Sequence, residues 1–116
     1  MEGLVSLSGA VKSHITTLTD AASITTDFNT ANMFMVTLAG NRTLAAPSNA
    51  TTGQTGSIYV VQDGTGSRTL SYNAAWRFPA GSVPVATTDA SAVDLVVYSA
   101  RSATTIDAVM LKNFTR

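Results

Sequence analysis

Apolar and polar residues alternate with a period of two along most of this chain. In "ASITTDF", Ile24, Thr26 and Phe28 fall on one face, with Ser23, Thr25 and Asp27 on the other. "MFMVTL" sets Phe34, Val36 and Leu38 opposite Met33, Met35 and Thr37, and "SIYVVQ" sets Ile58 and Val60 opposite Tyr59 and Val61. "VDLVVYS" gives a core face of Val93, Leu95 and Val97 against Asp94, Val96 and Tyr98. "TIDAVML" gives Ile106, Ala108 and Met110 against Asp107, Val109 and Leu111. Period-two runs of this length read as half-buried β-strands.

Turn clusters separate the runs: "AGN", "PSNATTGQTG", "DGTGS", "PAGSVP" and "TTDAS". Asp63-Gly64, directly after an alternating run, is a hairpin signal. Helical periodicity is absent, and Leu4 to Ser13 could form at most a short turn or an extended arm. Short strands at regular spacing predict an all-β fold: an antiparallel two-sheet β-sandwich, jelly-roll-like. Two runs, 57–62 and 93–98, are apolar on both faces, whereas the outer face of a sandwich should be polar. Tyr59, Val61, Val96, Val109 and Leu111 exceed what one core face needs. They would lie under loops, in a tightly curved sheet, or in a subunit interface.

Composition sharpens this picture. The 116 residues suit one domain. Formal charge is zero and only 12% of residues are charged, about half the usual share. Lys12 and Lys112 are the only lysines. No basic surface can be built to neutralise nucleic-acid phosphates or to bind a membrane surface peripherally. Cysteine is absent, which removes disulfides, thiolate metal sites and a thiol nucleophile. The start, "MEGLVSLSGAVKSH", has no signal-peptide pattern, and no apolar run approaches a membrane span. Thr, Ser and Ala make up about two-fifths of the chain. A weakly charged surface of such residues is easily buried against copies of itself, which favours an assembly subunit.

Catalytic chemistry finds little material. The one histidine, His14, lies in the N-terminal segment, and no G-x-S-x-G elbow is present. The carboxylates are scattered, so no metal or other cofactor is expected, and "DGTGS" lacks the repeated acids of a calcium loop. Asp94 and Asp107, on neighbouring predicted strands, are the one pair to weigh for glycoside hydrolysis, but their apolar neighbours favour a solvated face or a bond to a backbone amide. Gly64-Thr65-Gly66 precedes no helix, so it reads as a turn tip and not as a phosphate cradle. The aromatic cluster "YNAAWRFP" either plugs one end of the sandwich or, through Tyr72 and Trp76, stacks on a sugar.

A near-repeat, "GNRTL" at 40–44 and "GSRTL" at 66–70, uses two of the five arginines. Each opens a predicted strand, with Leu44 and Leu70 inward and Arg42 and Arg68 outward. Arginine's stem covers apolar surface while its five donors reach carboxylates or carbonyls. Arg42 and Arg68 are therefore expected to clamp a neighbouring loop or subunit.

These stretches also carry a family resemblance. Leu18-Thr19-Asp20, Val36 to Leu44, Pro47, Gly53-Gln54, Gln62 to Leu70, Trp76 to Pro79 and Asp94 to Ser99 occur in an order that resembles a β-sandwich module of tailed-phage virion proteins. The module occurs in tail fibres and other appendages, and similar small jelly rolls serve as capsid cement proteins. The resemblance implies a non-enzymatic virion component, a homotrimer, with a sandwich over residues 18–116 and an N-terminal arm over 1–17. A short arm in place of a shaft favours a capsid decoration protein bridging major capsid protein subunits at the capsid surface. Leu4, Val5, Leu7, Val11, Lys12 and His14 would then contact the capsid. The alternative is a tail- or head-fibre module that binds a host-surface glycan through Tyr72 and Trp76.

Overall fold

The computed structural model describes residues 9–10 and 12–115. The strands are β1 (Ile15–Thr17), β2 (Ser23–Ile24), β3 (Met33–Leu38), β4 (Arg42–Leu44), β5 (Thr55–Gln62), β6 (Leu70–Tyr72), β7 (Trp76–Arg77), β8 (Val93–Ser102) and β9 (Thr105–Leu111). A 3₁₀ turn at Pro79–Gly81 is the one helical element among the described residues. The strands form a six-stranded sheet, ordered β1-β3-β5-β8-β9-β7, and a three-stranded sheet, ordered β2-β4-β6. The all-β, two-sheet architecture read from the alternation is present.

Strand direction is the main departure from the expected antiparallel, jelly-roll-like pairing. From β1 to β6 the chain alternates between the sheets, and each strand pairs in parallel with the strand two elements earlier. This is a coil of three rungs, wound as in a parallel β-solenoid. Antiparallel pairing is confined to β5–β8 and the β8–β9 hairpin, while β7 joins β9 in parallel. The reason lies in the turns, which cross from sheet to sheet where hairpins were expected. Asp63-Gly64 carries the chain from β5 to β6 in the other sheet and makes no hairpin.

The core lies between the sheets. Ile24, Leu44 and Leu70 face Phe34, Val36, Leu38, Ile58 and Val60, with Ile106 and Ala108 beyond. The expected core faces of β3, β5 and β9 are the buried ones, except that Met110 is only partly buried. On β8 the faces are exchanged: Asp94, Val96, Tyr98 and Ala100 are buried, and Val93, Leu95 and Val97 point outward. Both faces of that run are apolar, so alternation alone could not choose between them. Phe28 stacks on Tyr98 at 4.7 Å between centroids and on Phe34 at 6.0 Å, and Trp76 meets Phe28 and Tyr98 edge-on. The chain enters the sheet at Ile15, which pairs with Met33, so residues 15–17 of the expected arm are part of the sandwich.

Candidate functional site

Arg42 lies at the start of β4 and reaches back to the turn after β1. Its Nε and Nη2 each donate to an Asp20 carboxylate oxygen at 2.8 Å, a bidentate fork. The bond from Arg42 holds the Asp20 carboxyl below its usual range, assisted by the amide of Ala39. Arg68 makes the corresponding pair with Asp63, Nη2 to Oδ2 at 2.9 Å. Asp63 Oδ1 also accepts the amides of Thr65 and Gly66. The Arg68 bond, followed by the Gly66 amide, depresses its carboxyl as well. Arg68 does not open a strand: β6 begins at Leu70, which pairs with Arg42. The two Arg-Thr-Leu stretches thus lie side by side but two residues out of register.

Gln62 joins this turn to the loop after the 3₁₀ turn. Its buried side chain donates to Arg68 O at 2.8 Å and Thr87 O at 2.9 Å and accepts Arg68 N at 3.0 Å. Gly66 has φ +74°, and a Cβ there would sit 2.7 Å from Thr88 O. Only glycine suits both the backbone conformation and that close approach. The loop covering this end of the three-stranded sheet is therefore fixed by Gln62, Gly66 and the Ser67 N to Thr88 O bond.

The carboxylates weighed for hydrolysis are far apart. Asp94 pairs with Val60, whereas Asp107 pairs with Ser99, five positions further along β8. That separation is roughly 16 Å along the strand. Asp94 is buried and accepts Thr87 N, Thr87 Oγ1 and Asn113 N. Asp107 is held by Arg101, whose bonds keep its carboxyl below the usual range. His14 and Lys12 are exposed, ahead of β1. Leu4, Val5, Leu7 and Val11 lie outside the described residues. Among the described residues no three His, Asp or Glu side chains gather as a metal site.

Trp76 and Tyr72 do not form a sugar platform. Trp76 is 4% exposed and its indole N–H donates to Ala45 O at 3.0 Å. Tyr72 is partly buried edge-on against Phe78, and its hydroxyl is buried with no partner among the described residues. Burial raises the Tyr72 phenol above its ordinary range and pushes that of Tyr98 up to about 12. The aromatic cluster is core.

The outward face of the six-stranded sheet has a different character. Registered pairing lines up Ile15, Met33, Ser57, Val97 and Val109 in one row. A second row holds Thr17, Met35, Tyr59, Leu95 and Leu111, and a third Thr37, Val61 and Val93. Tyr59, Val61, Val109 and Leu111 lie here as read from the sequence. Val96 does not: it is fully buried between the sheets and cannot meet another subunit. Ile15, Met33, Met35, Leu95 and Val97 also belong to the face: Met33 and Met35 are the set opposite the expected core, Leu95 and Val97 the expected core set itself, and Ile15 lies outside the alternating runs. A groove of about 830 Å³ crosses one end of it, floored by Val97 and Val109, walled by Phe78 and Pro79 and rimmed by Arg77, Arg101 and Asp107.

A chain wound into a braced coil, with its arginine–aspartate pairs used as internal clamps and a broad apolar face outside, has the features of a structural building block. It matches the family described as "Putative phage tail fibre C-terminal domain" over residues 14–108. The chain belongs to that family, which makes it a phage structural module and points to a non-enzymatic, virion-associated role. The match begins one residue before β1 and ends within β9, so it takes in both sheets. No curated protein and no solved structure matches the chain.

Proposed function

We propose that this chain acts as the terminal domain of a phage tail fibre and takes part in contact with the host surface. The observation that carries this reading is the family match across residues 14–108. The fold supports it, because a coil closed by clamps at successive turns is a stiff platform for exposed loops. A glycan receptor would engage residues other than Trp76 and Tyr72, whose rings are committed to the core. The capsid-decoration reading drew on the N-terminal arm, of which residues 1–8 and 11 lie outside the described set. The family match favours the fibre instead.

Immunogold labelling of virions that carry this protein tests the proposal, using antibody raised against the folded domain. Gold on tail fibres, together with adsorption blocked by the monovalent fragment, is the expected result. Gold spread over the capsid would overturn it and restore the decoration role.

A further inference from the structure

We propose that the β7 end of the six-stranded sheet binds an acidic saccharide, with Arg77 holding its carboxylate. At this end the apolar rows of the sheet give way to a polar one. Thr55, Ser99, Asp107 and Arg77 are registered partners across β5, β8, β9 and β7. Arg101 follows Ser99 by two positions on β8 and leans back onto that row, its Nε and Nη2 donating to the two oxygens of Asp107 at 2.9 and 2.7 Å.

Arg77 sets this corner apart. Arg42, Arg68 and Arg101 are each tied to an aspartate, whereas the exposed Arg77 forms no ion pair among the described residues. Asp107 lies close enough to feel its charge, but both carboxylate oxygens are taken by Arg101. Two guanidiniums therefore share one carboxylate. The cluster keeps one positive charge, and the donors of Arg77 are free to meet an incoming anion.

Shape points to the same class of ligand. The groove of about 830 Å³ meets a second hollow of about 430 Å³ at Arg77, Phe78 and Arg101. Small-molecule sites fall at about 300–1,000 Å³. Val97 and Val109 form an aliphatic floor one row from Ser99 and Asp107, roughly 6.8 Å along the strands. That floor can bury the C–H face of a pyranose, while the exposed hydroxyls of Thr55 and Ser99 face the hydroxyl groups of the ring. A sugar carboxylate is planar and takes the guanidinium fork bidentately. The single net charge matches one carboxylate, and Asp107 disfavours the second charge of a phosphate monoester. Exposed charge pairs are weak and screened by salt, so one sugar should bind in the millimolar range, and repetition along a glycan adds avidity. That the sugar belongs to a host surface rests on the fibre reading; the site itself does not.

The test is a titration of the isotope-labelled full chain, followed by backbone and arginine side-chain NMR. The probes are oligosaccharides of glucuronate, galacturonate or N-acetylneuraminate, each beside its carboxyl-reduced form. At least one acidic series is expected to move the Nε–H signals of Arg77 and Arg101 and the amides of Ser99 and Val109 saturably, with weaker binding at higher salt. Its reduced form should move none of them. Arg77→Gln should weaken binding at least roughly tenfold with an unchanged melting temperature, because the side chain is exposed and unpaired. Lys112→Gln, which removes an exposed cation beyond the far end of β9, should bind as wild type. Silence with all three acids, an equal response to a reduced form or to inorganic phosphate, or wild-type binding by Arg77→Gln would each overturn the proposal. Gold on the fibres with a silent titration would sink this site alone, and gold over the capsid with an Arg77-dependent response would sink the fibre reading alone.

Discussion

Replacing Gln62 with leucine tests how the end of the coil is held. Leucine fills a similar volume without the amide, so the change isolates the amide's hydrogen bonds. Gln62 is 3% exposed and its amide group makes three hydrogen bonds of 2.8, 2.9 and 3.0 Å. Without them the N–H and C=O of Arg68 and the C=O of Thr87 lose their partner. A buried backbone group left unpaired costs about 1–3 kcal/mol. The loop edge is close to water and can open locally to rehydrate part of this, so the low end of each cost applies. The expected loss is roughly 3 kcal/mol. For a domain of this size that lowers the melting temperature by roughly 10–15 °C and the urea midpoint by roughly 1.5 M, at a slope of about 2 kcal/mol/M.

Gln62→Glu separates hydrogen bonding from packing. It retains the oxygen that accepts Arg68 N but turns a second oxygen towards the carbonyls of Arg68 and Thr87. The site disfavours the charged form, so the folded pKa of this glutamate should lie above its unfolded value. The charged form is destabilising at neutral pH, and protonation restores one donor. The gap to wild type should therefore narrow as pH falls towards about 5. Urea titration with unchanged slope is the assay. A Gln62→Leu variant within about 1 kcal/mol of wild type, or a Gln62→Glu gap indifferent to pH, would refute the account.

Three further outcomes follow from the same geometry. Gly56→Ala should destabilise by at least about 3 kcal/mol, read by thermal unfolding, because its Cβ would overlap the carbonyl of Asn32 and crowd the Tyr98 hydroxyl; a melting temperature near wild type would contradict the packing. Trp76→Phe should lose about 1 kcal/mol with the Ala45 bond and leave host adsorption per folded molecule unchanged; a selective loss of adsorption would return the tryptophan to a binding role. Asp20, Asp27, Asp63 and Asp107 all have folded pKa values lowered by donors, chiefly Arg42, Asn49, Arg68 and Arg101. Their stabilisation is complete above the ordinary carboxylate value of about 4 and is lost as pH falls through the lowered folded values. Urea midpoints should thus stay flat down to about pH 5 and drop below about pH 4; a decline starting between neutrality and about pH 5, or a rise on acidification, would contradict the assignment.

How far these features are legible depends on what alternation encodes. It marks which residues share a face, and it identifies Phe34, Val36 and Leu38 on β3 and Ile58 and Val60 on β5, although 57–62 is apolar on both faces. It does not encode strand direction, since parallel and antiparallel strands share the same period. Direction is set by turns such as 63–69, where Asp63, Gly66 and Gln62 together send the chain to the other sheet. On β8 the choice of face rests on Asp94. A carboxylate in an apolar run reads as outward-facing, yet here Thr87 and Asn113 supply three donors that make its burial tolerable. Those donors are 7 and 19 residues away, beyond any local pattern. The same exchange of faces moves Val96 from the expected interface into the core and brings Leu95 and Val97 to the outer face.

The Arg-Thr-Leu echo is explained by the coil. Its two copies are successive rungs, joined by the Arg42–Leu70 pairing, by Thr43 Oγ1 with Ser71 Oγ at 2.8 Å, and by Thr69 N donating to Asn41 Oδ1 at 3.0 Å. Each arginine grips the aspartate of a crossing turn: Asp20 from the rung before, and Asp63 from the turn that leads into its own. A parallel coil needs such clamps, because every rung requires two crossings between sheets and no hairpin fixes them. Two of the three ion pairs among the described residues, Arg42 with Asp20 and Arg68 with Asp63, are used in this way. Both act between turns and the smaller sheet. The third pair, Arg101 with Asp107, lies on the larger sheet, at the end of its outward face.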